Sequence, residues 1–223
     1  MLVPLRSLCR ATPWMLIGVL TLGCLAAIRV IRGIRFTIAG PPDDPNIVVA
    51  NEVVCVLYAI CVAALIAPSL PEIDLRRPRA QKLAVARLLI AGTCVVLVSS
   101  FAARQLNLAY FAEAGTTSTA PESELLINNS MLVFGIATVA IALLGKFRGI
   151  PLALLSWVIG IAPLVFFYDI NLWPFAALQG DGPWCSWPHI AVTVVVLISA
   201  LAIQFRTAGV GSCALAAERS EQR

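Results

Sequence analysis

The chain has 223 residues, of which 60% are hydrophobic and only 13% charged, with a formal net charge of +4 and a mean hydropathy of +0.90. A soluble domain carries about 25% charged residues, so this composition leaves no room for a globular domain that holds a nucleotide, a cofactor or a nucleic acid. The positive charge is spread over short connections, which suits membrane orientation better than nucleic-acid binding.

Six apolar runs fill most of the chain. A hydrocarbon core about 30 Å thick needs about 20 mainly apolar residues to cross it. Spans are expected at Trp14–Ile34, Ile47–Ala67, Leu83–Ala103, Leu125–Gly145, Ile150–Tyr168 and Pro188–Phe205. Every backbone N–H in lipid must find a partner within its own segment, so these runs predict helices. They lack the alternation of a transmembrane β-barrel. The expected fold is an all-α polytopic protein, one transmembrane domain over residues 1–223, lying multi-pass in the cell membrane and surrounded by membrane lipid.

Residues 1–13 set Leu2, Val3, Leu5 and Leu8 against Arg6 and Arg10. An interfacial amphipathic helix and an ordinary tail both fit this arm. Arg6 and Arg10 also resemble the flank of a signal peptide. The first apolar run is long, however, ends in Arg29 and Arg32, and lacks a clear small-residue cleavage site, so a retained span is expected. Gly40-Pro41-Pro42-Asp43-Asp44-Pro45 blocks helix continuation and forces a turn before span two.

Between spans two and three the chain reads Pro68-Ser69-Leu70-Pro71-Glu72-Ile73-Asp74-Leu75-Arg76-Arg77-Pro78-Arg79. Ser69 and Glu72 have capping-box spacing. Pro71, Glu72 and Asp74 suit a first turn. Arg76 and Arg77 suit the last, and Pro78 stops the helix. The segment reads either as a short capped helix at 69–78 or as a basic turn that enforces orientation. The connection Arg104–Glu124 is expected to be a loop. Leu172–Leu178, between spans five and six, fits an interfacial aromatic belt or a short re-entrant helix.

With the N-terminus inside, the cytoplasmic segments hold Arg6, Arg10, Arg76, Arg77, Arg79, Lys82, Arg87, Lys146, Arg148, Arg206, Arg219 and Arg223. The outside holds Arg29, Arg32, Arg35 and Arg104. This bias predicts both termini in the cytoplasm, with the first external loop as the one violation. Of the seven cysteines, only Cys185 lies in an expected external loop. No disulfide framework and no metal-binding pair is expected; small buried hydrophobes are the simpler reading.

The chain has no G-x-x-x-x-G-K-[ST], H-E-x-x-H or G-x-S-x-G run, so no enzymatic role and no cofactor is expected. A single histidine, His189, cannot build a zinc site by itself. Polar residues within the spans carry more information. Arg29 in span one and Asn51 and Glu52 in span two lie about five residues from their outer ends, roughly 7.5 Å deep. Equal depth permits an Arg29–Glu52 pair. Asn128 and Asn129 in span four stand at a similar level, and Arg104 caps span three. Together these six residues form a candidate polar tier. Intramembrane ionisable groups are functional candidates; a structural ion pair with interhelical hydrogen bonds is the alternative. Spans four to six have no charge in their cores, which argues against an ion-coupled pump. Ser156 and Gly160 form a small-x-x-x-small face in span five, suited to close helix packing.

Six spans, both termini inside and a capped basic segment between spans two and three resemble the permease subunits of type-2 ABC transporters, in particular small actinobacterial ones. Residues Pro71–Arg79 followed by Ala84–Leu89 are similar to that family's first cytoplasmic loop and third span. Asn128–Gly145 with Lys146-Phe147-Arg148 and Pro151 resembles its passage from span four to five, although Ile127-Asn128 replaces the usual Arg-Asn pair. Trp173-Pro174 resembles its turn after span five. The resemblance implies a coupling helix, with Glu72, Asp74, Arg76 and Arg77 docking on a separate ATP-binding subunit. It also implies an exporter built with a second permease, as a homodimer or heterodimer. A non-transporting membrane protein, acting as an immunity, assembly or regulatory partner, fits the short loops equally well.

Overall fold

The computed structural model of the chain describes residues 14–31, 34–39, 46–68, 80–114, 123–162, 175 and 185–209. Among these residues the chain forms six helices and one antiparallel hairpin. They are α1 (Trp14–Ile31), β1 (Arg35–Ala39), β2 (Asn46–Val49), α2 (Ala50–Ile66), α3 (Ala80–Ala114), α4 (Ser123–Leu144), α5 (Lys146–Ile161) and α6 (Trp187–Thr207). Helices α1, α3, α4 and α6 are long and apolar enough to cross a membrane. Helices α2 and α5, with 17 and 16 residues, reach about 25 Å at 1.5 Å per residue.

Three boundaries differ from the sequence expectation. Ile47, Val48 and Val49 do not open span two. Their β-branched backbones join a hairpin in which Arg35 pairs with Val49, Phe36 with Val48 and Thr37 with Ile47. The Ile34 carbonyl then accepts the Ala50 N–H at 3.0 Å, which satisfies one of the free donors at the start of α2. Helix α3 runs to Ala114, so Arg104 lies inside a helix instead of capping one. No Gly or Pro interrupts Gln105–Ala114, and Gly115 is the first residue that does. Helix α5 starts at Lys146, with Gly145 alone between it and the end of α4, because Gly145 takes φ 80°. That left-handed conformation is cheap only for glycine.

Helix α4 is the axis of the bundle. It packs against α2, α3, α5 and α6, while α1 covers α2 and α3 from outside. Phe134, Leu132, Val133, Leu125 and Leu126 on α4 are all almost wholly buried. The α4–α5 contact is close enough that a Cβ at Gly149 would sit 2.6 Å from backbone atoms of Ile141. Gly160 takes the ring of Phe175 instead of another helix, so the Ser156–Gly160 face is closed by the chain beyond α5. Residues 69–79, which hold Glu72, Asp74, Arg76 and Arg77, lie outside the described residues, as does Leu172–Leu178 apart from Phe175.

Candidate functional site

The polar residues gather at one end of the bundle, where α2 and α4 begin and α1 finishes. Glu52 sits in the first turn of α2, so the positive end of that helix dipole faces its carboxylate. The side chain is 5% exposed and accepts a hydrogen bond from Asn129 Nδ2 on α4 at 2.9 Å. Trp157 on α5 stands beside the same carboxylate, but its indole N–H lies outside hydrogen-bond geometry. Next to Glu52, Asn51 turns to α3 and donates through Nδ2 to the Ala102 carbonyl at 3.2 Å. Asn128 turns the other way, to α6, and accepts from the Thr193 hydroxyl at 2.8 Å. Adjacent residues on a helix point about 100° apart, so the pairs Asn51-Glu52 and Asn128-Asn129 each tie two different neighbours.

Arg29 and Glu52 do not pair. Arg29 donates through Nη1 to Gln105 Oε1 on α3 at 3.0 Å, and Glu52 is held by Asn129. The two side chains turn to different helices, Arg29 to α3 and Glu52 to α4. Arg104 is exposed on α3 and takes no part in the buried tier. Five of the six expected tier residues therefore make interhelical hydrogen bonds, and Arg104 makes none among the described residues.

Gln105, Thr193 and Trp157 complete the tier and were not singled out from the sequence. Thr193 lies six residues into α6 and Asn128 five into α4, and that matching depth was a usable signal. His189 is buried and caps α6: the Ser186 N–H donates to its Nδ1 at 3.2 Å, with the Ser186 hydroxyl 2.6 Å from the same nitrogen. Nearer the middle of the bundle, Cys55 sits between Ser99 on α3 and Ser130 on α4, and Thr21 on α1 meets the Tyr58 hydroxyl on α2 at 2.8 Å.

Among the described residues, three buried polar atoms in the tier lack a hydrogen-bond partner: Asn51 Oδ1, Asn128 Nδ2 and Trp157 Nε1. An unpartnered buried polar group costs about 1–3 kcal/mol. Among the described residues, no group of histidine, cysteine or carboxylate side chains is arranged to hold a metal. Below the tier, α3, α4 and α6 frame an apolar groove of about 440 Å³ lined by Leu88, Gly92, Val96, Met131, Phe134 and Leu197, among others. Met131 is one turn from Asn128 and Leu197 one turn from Thr193, so the groove begins where the Asn128–Thr193 bond ends.

No family model, curated protein or solved structure matches the chain.

Proposed function

We propose that the chain is the membrane-embedded permease subunit of an ATP-driven ABC exporter in the cell membrane, with six spans and both termini in the cytoplasm. A single observation carries the reading. Residues 69–78 combine capping-box spacing, a first turn with Glu72 and Asp74 and a last turn with Arg76 and Arg77, in a chain whose 223 residues include no nucleotide-binding motif. Such a segment suits docking on an ATP-binding subunit, and energy for transport then comes from that subunit.

Two features of the fold support it. The segment joins the far end of α2 to the start of α3, about 21 Å along α2 from Glu52 at 1.5 Å per residue. Helix α2 therefore links the docking segment to the polar tier as one rod. The apolar groove, with polar groups at one end, suits an amphipathic substrate. A short α2 and α5 accommodate to the bilayer by local thinning or by burial within the bundle; α2 is the more buried of the two.

Affinity purification of the tagged chain from its native membranes tests the reading. The expected result is co-purification of an ATP-hydrolysing subunit, together with a second permease or a second copy of this chain. Recovery of the chain without any ATP-binding polypeptide rejects it.

A further inference from the structure

We propose that Arg29 and Arg104 form a binding site for the phosphate-bearing headgroup of an anionic membrane lipid. The argument starts from two stripes of exposed residues. On α1, Met15 (84% exposed) and Leu22 (69%) precede Arg29 at intervals of seven residues. On α3, Ile90 (40%) and Leu97 (64%) precede Arg104 at the same interval. Seven residues are nearly two helical turns, so each set lies on one face. Both faces point away from the protein, and each sets an arginine in line with exposed apolar side chains; on α3 the exposed Leu108 follows one turn beyond Arg104.

The two helices run parallel. Thr21 and Cys94 both neighbour Tyr58, and further along both helices Arg29 meets Gln105. Each stripe covers about 21 Å from its first apolar residue to its arginine. The two arginines thus lie on adjacent bilayer-facing stripes at one height. We place that height at the edge of the hydrocarbon, where a long basic side chain reaches the headgroups while its stem stays in lipid.

Among the described residues, no carboxylate neutralises either charge. Arg29 makes one bond, to the neutral Gln105 amide. Among the described residues Arg104 forms no ion pair or hydrogen bond, and Glu124, the exposed carboxylate at the start of α4, pairs with neither arginine. Glu52 is buried and turned to α4. The Gln105 bond holds the Arg29 side chain in place and leaves most of its N–H donors free. Guanidinium groups bind phosphate oxygens through paired N–H donors. The site also accounts for the one breach of the charge rule in the sequence. Arg29 and Arg104 lie on the side expected to be poor in basic residues, and a lipid phosphate gives them a counter-charge.

The test is lipid retention by the purified full chain, read by native mass spectrometry after exposure to vesicles of phosphatidylglycerol or phosphatidylcholine. The wild type is expected to retain phosphatidylglycerol roughly 25-fold better, since each of the two basic residues contributes about fivefold. Arg29→Gln/Arg104→Gln should remove most of that preference. Arg29→Lys/Arg104→Lys should keep part of it, and Arg148→Gln, an exposed arginine at the opposite end, should keep all of it. If the double variant fails to fold, Arg104→Gln alone carries the test, because it breaks no hydrogen bond among the described residues. Three results overturn the proposal: no preference in the wild type, an equal loss with Arg148→Gln, or displacement of the lipid by millimolar inorganic phosphate alone. The last would assign the arginines to a soluble anion.

Discussion

Helices α1 and α4 are both apolar enough to cross a membrane, yet they live in different surroundings. In the most apolar stretch of α4, 78% of the residues are buried within the protein, against 17% for α1. Hydrophobicity does not separate them, because lipid tails and a protein interior are similar solvents for a leucine. Polar residues do. Helix α4 carries Asn128, Asn129, Ser130 and Thr138, all buried. Helix α1 carries Thr21, facing Tyr58, and Arg29 at its end. On α4 the buried polar side chains mark the faces that meet other helices; hydroxyls that face outward, such as Thr93 and Ser199, bond the backbone of their own helix instead.

Substitutions on the two helices sharpen this contrast, and each can be read by reversible denaturation in micelles. Phe134→Ala on α4 should lose about 3–5 kcal/mol, the cost of removing a large buried ring. Leu22→Ala on α1 should change stability by less than about 0.5 kcal/mol. A loss at Leu22 as large as that at Phe134 would mean that α1 is covered by a partner. Glycines repeat the comparison with opposite signs. Gly149→Ala, against the backbone of α4, should cost about 1–3 kcal/mol. Gly18→Ala and Gly23→Ala on α1, where a Cβ meets nothing within 4 Å, should be neutral or stabilising by up to about 1 kcal/mol.

Smaller effects are expected in the tier. Glu52→Ala removes the acceptor of Asn129 Nδ2 and should cost about 1–3 kcal/mol, whereas Glu52→Gln keeps an acceptor oxygen and should cost less. Equal losses for both would mean that the charge, not the hydrogen bond, holds α2 to α4. Thr193→Val should have the smallest effect, about 0.6 kcal/mol, the average for an interhelical hydrogen bond in a membrane.

The helices were legible because uninterrupted apolar runs leave the backbone few alternatives in lipid. The hairpin was not, because Ile47-Val48-Val49 is as apolar as the helix it precedes and hydropathy cannot separate a strand from the start of a span. The extension of α3 was hidden by Gln105 and Asn107, which read as loop residues but lie on helical turns. In the tier, sequence position supplied depth but not direction. Depth placed Arg29, Asn51, Glu52, Asn128 and Asn129 at one end. The direction in which each leaves its helix decided that Arg29 meets Gln105 and Glu52 meets Asn129. That second quantity depends on how the helices are turned against each other, and no local pattern encodes it.

The functional account depends on the two ends of α2 and α3 having different roles. One end carries the buried tier. The other leads into residues 69–79, proposed as the docking segment for an ATP-binding subunit. Photo-crosslinking in native membranes tests this directly, with the reactive group placed at position 75 in that segment or at position 108, exposed on α3 beyond the tier. The account predicts capture of an ATP-binding polypeptide from position 75 and not from position 108. No such polypeptide at position 75, or equal capture at both positions, would contradict it.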